Sequence, residues 1–197
     1  MAKRKQSGNS KAGRLRIVAG NWRSRLLDIA DVEGLRPTSE RIRETLFNWL
    51  TPHLNGARCL DLYAGTGALG LEALSRGAAS AVFVERDPVA ERQLRKNIEL
   101  LGAENANIIP SGALEFLRSA APTPFDIVFL DPPYAGNLLG ETCRLLVDTH
   151  QLADDALIYL EDERSRGEPE LPRGWTILKD KTAGKVRYML AKAEKDD

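Results

Sequence analysis

From Arg58 onward the chain alternates short apolar runs of strand character with stretches of helical periodicity, and few folds accommodate that alternation. Residues 58 to 63, 80 to 85, 106 to 110, 125 to 131 and 155 to 161 read as strands. Helices fill the gaps; over 88 to 101, for example, Ala90, Leu94, Ile98 and Leu101 line one helical face. Repeated strand–helix units imply a parallel sheet covered on both sides, and right-handed crossovers make it doubly wound. Near the end, Trp175 to Lys179 and Val186 to Ala191 flank Thr182, Ala183 and Gly184, with no room for a helix, which predicts an antiparallel hairpin. Upstream, Pro37 and Thr38 introduce a helix with Thr38 as its N-cap. Ile42, Leu46, Trp49 and Leu50 are its apolar positions, and Arg41, Arg43 and Glu44 lie elsewhere on its surface. The expected class is α/β and Rossmann-like.

A length of 197 residues with 43% hydrophobic content suits one compact domain with its own core. Cys59, Cys143, His53 and His150 show neither metal-ligand spacing nor a disulfide framework, so buried thiols in a reducing cytosol are expected, with no metal. No apolar segment approaches the roughly 18 residues of a membrane span, and the basic start is not followed by the apolar stretch of a signal peptide. A cytoplasmic protein is expected, with no membrane partner.

Basic and acidic residues balance at 28 each, but they are unevenly spread. Residues 1 to 25 hold Lys3, Arg4, Lys5, Lys11, Arg14, Arg16, Arg23 and Arg25 and no acid, which leaves the remainder with an excess of eight acids. That asymmetry points to a polyanion, most simply nucleic acid, at the N-terminal end. Residues 1 to 12, rich in Ser, Gly, Asn and Lys, fit a disordered tail. Leu15, Ile17, Val18 and Leu26, Leu27, Ile29 flank Gly20 and Asn21, so residues 13 to 35 read as a basic β-hairpin displaying arginines, ahead of a main domain from 36 to 197.

In a doubly wound sheet, ligands bind outside the carboxyl ends of the strands. The run Asp61, Leu62, Tyr63, Ala64, Gly65, Thr66, Gly67, Ala68, Leu69, Gly70 falls at such an end. Glu85 closes the next strand twenty residues after Gly65, a spacing that lets its carboxylate accept from both hydroxyls of a ribose. The glycines formally satisfy G-x-G-x-x-G, so a nicotinamide or flavin dehydrogenase is a competing reading; a P-loop is excluded, since no Lys-Ser or Lys-Thr follows. Asp61 shifts the balance, because an acid beside the turn would repel a pyrophosphate, whereas the sulfonium and ammonium of S-adenosylmethionine welcome it.

The apolar run Ile127, Val128, Phe129, Leu130 ends in Asp131, Pro132, Pro133 and Tyr134. A carboxylate, a carbonyl and an aromatic face supply two acceptors and a stacking platform, the set an exocyclic NH₂ on a planar base needs. Such a nitrogen is a poor nucleophile because its lone pair is delocalised. Hydrogen bonds to Asp131 and the Pro132 carbonyl would orient it toward the sulfonium, with Asp131 stabilising the developing positive charge and Tyr134 stacking on the base.

With these residues in hand, the chain resembles the RsmD-type 16S ribosomal RNA guanine-N2 methyltransferases, of the class I S-adenosylmethionine-dependent fold. The likeness runs through Arg16-Ile17-Val18-Ala19-Gly20 with Trp22 and Arg23, Leu35-Arg36-Pro37-Thr38 with Arg41, Arg43, Glu44 and Phe47, the turn at 61 to 70 and the tetrad at 131 to 134. It implies a seven-stranded sheet whose last strand is antiparallel. It further implies that Asp61, Tyr63, Gly65, Thr66, Gly67, Glu85, Arg86, Gly112 and Ala113 bind S-adenosyl-L-methionine and that Asp131, Pro132, Pro133 and Tyr134 form the catalytic set. Where many class I enzymes carry an acid or amide near the adenine ring, this chain reads Ser111, Gly112, Ala113, so backbone groups are expected to serve there. The implied partner is 16S rRNA in the small subunit or its assembly intermediate, held by a monomer through Arg14, Arg16, Arg23, Arg25, Arg36, Thr38, Arg41, Arg43 and Lys185. Two further readings stay open: an adenine-N6 methyltransferase acting on nucleic acid, since the tetrad does not distinguish the two amino groups, and a non-catalytic RNA-binding assembly factor.

Overall fold

The computed structural model describes residues 13–35, 37–121, 124–133, 136 and 138–194. Its chain order is β1 (Arg14–Arg16), β2 (Leu26–Asp28), α1 (Glu40–Leu54), β3 (Arg58–Asp61), α2 (Ala68–Ser75), β4 (Ser80–Val84), α3 (Pro88–Leu101), β5 (Ala106–Ile109), α4 (Ala113–Ser119), β6 (Phe125–Leu130), α5 (Leu138–Asp148), β7 (Leu152–Glu163), a 3₁₀ turn (Arg164–Arg166), β8 (Trp175–Ala183) and β9 (Val186–Ala193). Seven strands form one sheet in the order β5-β4-β3-β6-β7-β9-β8. The pairs β4–β5, β3–β4, β3–β6 and β6–β7 are parallel, and β9 runs antiparallel to both β7 and β8. The doubly wound sheet with an antiparallel last strand is therefore as expected.

The order reverses at β3: the chain steps outward through β4 and β5, then returns to lay β6 on the other side of β3. Such a reversal opens a crevice at the carboxyl ends of the two central strands. Each face of the sheet has its own apolar layer. On one side Cys59, Phe83, Ile127, Phe129 and Tyr159 meet α1, α2 and α3; on the other Leu60, Val128, Leu130, Ile158 and Met189 meet α4 and α5.

Local chemistry fixes the element ends. Asp87 caps α3, accepting from Val89 N at 2.7 Å and Ala90 N at 3.0 Å with Pro88 in the first turn, and Gly102 closes the helix with left-handed backbone. α1 departs from expectation at its start. Ser39, not Thr38, caps the helix, its hydroxyl accepting from Ile42 N at 3.4 Å. β7 is also longer than the apolar run 155 to 161: it begins at Leu152 and carries an irregularity in its pairing with β6, with Asp155 at φ 61°. Asp154 and Asp155 interrupt the period-two pattern at the irregular stretch, which hid the start of the strand. β8 and β9 form a hairpin closed by Gly184 and Lys185.

The N-terminal strands β1 and β2 pair antiparallel as a small separate sheet. Leu15, Ile17 and Leu27 enter the same apolar layer as α1 and α2, so the hairpin shares the main core. Gly20 makes the contact possible at φ 82°, since a Cβ there would lie 1.8 Å from the Ser75 carbonyl oxygen. Residues 1–12, expected to form a tail, lie outside the described residues. Among the described residues no helix is long and apolar enough to cross a membrane.

Candidate active site

Three neighbouring strands each deliver an acid at the carboxyl edge of the sheet. Asp61 ends β3, Glu85 follows β4 and Asp131 follows β6, with Asp61 paired in register to Phe129 two residues before Asp131. Neighbouring strands lie about 4.8 Å apart, so the three termini form one rim. Backbone bonds continue the register past the strand ends: Leu62 N donates to Phe129 O at 3.2 Å, Ala64 N to Val84 O at 3.1 Å, and Glu85 N to Ile109 O at 3.1 Å.

The glycine turn is built around two of these acids. Asp61 is buried, and its Oδ2 accepts from Gly70 N at 3.1 Å. Glu85 accepts at both oxygens, from Gly65 N at 2.7 Å and Asp87 N at 2.7 Å, which fixes its carboxylate against the turn. Gly67 opens α2 with left-handed backbone, φ 81°, which a β-carbon would strain. Burial pushes the Asp61 carboxyl up to about 7, Glu85 adds to the rise, and the Gly70 and Tyr63 amides oppose it. A cation beside Asp61 would relieve that penalty. Thr66 is buried, and its hydroxyl has no hydrogen-bond partner among the described residues. Carboxylates fixed by backbone amides and a buried hydroxyl without a partner, with no basic residue in the turn from 61 to 70, fit a cationic nucleoside such as S-adenosylmethionine better than a pyrophosphate.

The other expected cofactor residues occupy the same rim. The Tyr63 hydroxyl pairs with Thr142 Oγ1 at 2.6 Å, and its pKa is raised by burial and lowered by that bond, with Arg86 adding a lowering pull. Arg86 itself is exposed. Gly112 and Ala113 begin α4; a Cβ at Gly112 would meet nothing within 4 Å, so backbone is open to approach there.

Asp131 is partly buried, Pro132 buried and Pro133 exposed. Tyr134 and Arg36 lie outside the described residues. Asp131 is held well above the usual carboxylate range by burial first and then by Glu161. The Thr38 hydroxyl opposes the rise, and Asp61 adds to it. The pairing of Asp61 with Phe129 and the influence of Asp61 on the Asp131 carboxyl put the turn and the proline corner beside each other on the rim. Glu161, buried near the carboxyl end of β7, accepts from the Tyr159 hydroxyl at 2.7 Å and was not expected from sequence. The signal was available: an acid closing the run Leu157, Ile158, Tyr159, Leu160 has the form that singled out Asp131.

Among the basic residues expected to meet RNA, Arg14, Arg16, Arg23, Arg25, Arg41 and Lys185 are exposed. Arg14 lies 3.6 Å from Asp28, and Arg25 donates to Leu100 O at 3.2 Å. Arg43 corrects the sequence reading. It is 1% exposed, ion-paired to Glu72 at 3.1 Å, and it donates to Thr38 O and Arg16 O, so its guanidinium is consumed inside the protein. Thr38 is likewise 6% exposed and turned inward, its hydroxyl donating to Asp131 Oδ2 at 3.1 Å. Glu72, fully buried in α2, is the partner that sequence reasoning missed. A lone acid within Ala68-Leu69-Gly70-Leu71-Glu72-Ala73-Leu74 requires a cation, and Arg43 supplies it.

A family model described as Conserved hypothetical protein 95 matches residues 15–192. Over 190 residues, covering 96% of both chains, the sequence is 50% identical to ribosomal RNA small subunit methyltransferase D of Escherichia coli strain K12. The chain belongs to this methyltransferase family. The Haemophilus influenzae family member of the same name is 46% identical over 192 residues, covering 95% of this chain and 98% of its own. The solved structure of yhhF from Escherichia coli superposes with a TM-score of 0.86 at 48% identity, covering 92% of this chain and 99% of the other. The match at residues 15–192 spans both the N-terminal hairpin and the seven-stranded sheet, so in this methyltransferase family the two go together. The family resemblance carried by the turn, the tetrad and the Arg36-Pro37-Thr38 segment is thereby borne out.

Proposed function

We propose that this protein transfers a methyl group from S-adenosylmethionine to the exocyclic N2 amino group of a guanine in 16S ribosomal RNA, acting in the cytoplasm as a monomer on the small subunit or its assembly intermediate. The observation that carries this reading is the shared rim: the Asp61–Glu85 turn and the Asp131–Pro132 corner end adjacent parallel strands. The relatives named ribosomal RNA small subunit methyltransferase D support the substrate class. S-adenosylmethionine supplies an electrophilic methyl carried on a sulfonium. Glu85 is the acceptor for the ribose hydroxyls, and Asp61 receives the positively charged amino-acid end. Asp131 accepts from one N–H of the guanine amino group and the Pro132 carbonyl from the other, which aims the nitrogen lone pair at the methyl carbon. As the new N–C bond forms, the methyl–sulfur bond breaks and its electron pair returns to sulfur, leaving the neutral thioether S-adenosylhomocysteine; the charge gained by the nitrogen is stabilised by the Asp131 carboxylate, and the extra proton then passes from that nitrogen to water. Positioning and fixed charge, rather than covalent chemistry by the protein, supply the rate. Tyr134 stacks on the base, and the exposed arginines grip the phosphates.

The test uses small subunits from cells lacking this activity, tritiated S-adenosylmethionine, and mass analysis of the nuclease-released nucleosides. N2-methylguanosine is expected. N6-methyladenosine would replace this reading with the adenine one, and no transfer with retained RNA binding would favour an assembly factor. Asp131→Ala should lower transfer at least about a hundredfold with cofactor affinity unchanged by calorimetry. Near-normal transfer would show that another group orients the nitrogen.

A further inference from the structure

The Asp131 carboxylate does not stand alone at the proline corner. Its Oδ2 accepts from the Thr38 hydroxyl at 3.1 Å, across 93 residues of sequence. Thr38 is itself held, because its carbonyl accepts from Arg43 Nε at 3.2 Å. The rest of the Arg43 guanidinium bonds to Glu72 Oε2 at 3.1 Å and to the Arg16 carbonyl at 2.8 Å. Glu72 in turn accepts from Val18 N at 2.8 Å, Ala19 N at 3.0 Å and Arg76 Nε at 2.7 Å. An unbroken chain of hydrogen bonds thus runs from the N-terminal hairpin through α2 and α1 to Asp131.

We infer that Thr38 is a positioning residue for methyl transfer: its hydroxyl pins Asp131 Oδ2 so that Oδ1 is left facing the target amino group, and Arg43 holds Thr38 in place. This rests on the reading of Asp131 as the acceptor for that amino group. A carboxylate's terminal torsion is broad and has no strong minimum of its own, so a fixed donor is needed to set its plane. The choice of donor is physically specific. The charged groups that act on Asp131 are Glu161 in β7 and Asp61 at the end of β3, both acids. An arginine or lysine in place of Thr38 would neutralise the carboxylate and weaken it as an acceptor. A hydroxyl occupies one lone pair, fixes the rotation and leaves the negative charge for the substrate.

The experiment compares wild type, Thr38→Val, Thr38→Ala and Thr38→Ser on under-modified small subunits. Initial rates are read at saturating cofactor across pH, alongside cofactor affinity and melting temperature. Loss of the hydroxyl should lower kcat about tenfold or more, with cofactor affinity and the KM for the subunit near wild type. Because the Thr38 bond favours ionised Asp131, the acid limb of the kcat profile should move to higher pH, and Thr38→Ser should restore both the rate and the limb. Thr38→Ala reports the same deletion without the added methyl should Thr38→Val melt early. Wild-type kcat and pH limb in both deletions would overturn the inference, as would a raised KM for the subunit at unchanged kcat, which would make Thr38 an RNA contact. Failure of Thr38→Ser to rescue would also overturn it, by assigning the effect to packing. If wild type itself yields no N2-methylguanosine, the functional reading falls and this inference with it; wild-type transfer with unimpaired deletions removes the inference alone.

Discussion

Asp61 shows what a buried acid costs its own fold. Its carboxyl titrates near 7 in the native protein against 3.8 for an unburied group, so between those values the folded state holds a proton that the unfolded state has released. Stability from this group is therefore full below pH 3.8 and is lost as pH rises through about 7, amounting to roughly 4 kcal/mol in the alkaline limit. Asp61→Asn keeps an acceptor for Gly70 N and removes the buried charge. We expect the variant's advantage over wild type in urea to be largest at pH 8, smaller near pH 5 and absent below about pH 3.8, and the variant to bind S-adenosylmethionine more weakly by calorimetry. Equal stability at all three values would show that Asp61 is not penalised. Glu161 offers a second test, since its charge raises the Asp131 carboxyl. Glu161→Gln should move the acid limb of the activity profile to lower pH, opposite to the Thr38 deletions, as measured by single-turnover methyl transfer. Asp61, Glu85 and Asp131 were legible because an acid ending an apolar strand has few structural reasons to be there. Thr38 and Arg43 were not, because a polar residue at a helix start reads as a cap or a surface contact until its partner, 93 or 29 residues away, is known.

The hairpin of β1 and β2 and the helix α2 are joined by contacts that tolerate little change. At Gly20 a Cβ would collide with the Ser75 carbonyl, and φ 82° disfavours any side chain. Gly20→Ala should destabilise the protein by at least about 2 kcal/mol, read from denaturant unfolding. Arg43→Met leaves Glu72 buried with one fewer cation and should cost about 3 to 5 kcal/mol by the same measurement. A loss below about 1 kcal/mol would show that Arg76, also bonded to Glu72, suffices. Elements with clean periodicity, such as α3 and the parallel strands, matched their residues closely, because burial on one or both faces writes a regular pattern. The start of β7 did not, since its pairing with β6 is irregular there. The length of β8 and β9 also exceeded the apolar runs, because a hairpin ladder extends through polar residues such as Lys179, Asp180 and Lys181 as readily as apolar ones.

Charge and sheet topology divide the labour of the molecule. The carboxyl rim gathers Asp61, Glu85, Asp131 and Glu161, while exposed Arg14, Arg16, Arg23 and Arg25 crowd the N-terminal hairpin. RNA binding should therefore weaken steeply with salt, and replacing Arg23 and Arg25 by alanine should reduce the logarithmic salt slope by about one to two while leaving cofactor affinity unchanged. A slope unaltered in that double variant would move the RNA grip elsewhere. The hairpin has a second duty, because Ile17 and Leu27 are wholly enclosed beneath it among side chains of the helical layer. Its arginines are mounted on a plug, so the basic arm cannot be traded like a detachable module. Trimming it away would unstopper the interior, and the shortened chain would forfeit its fold along with its positive charge.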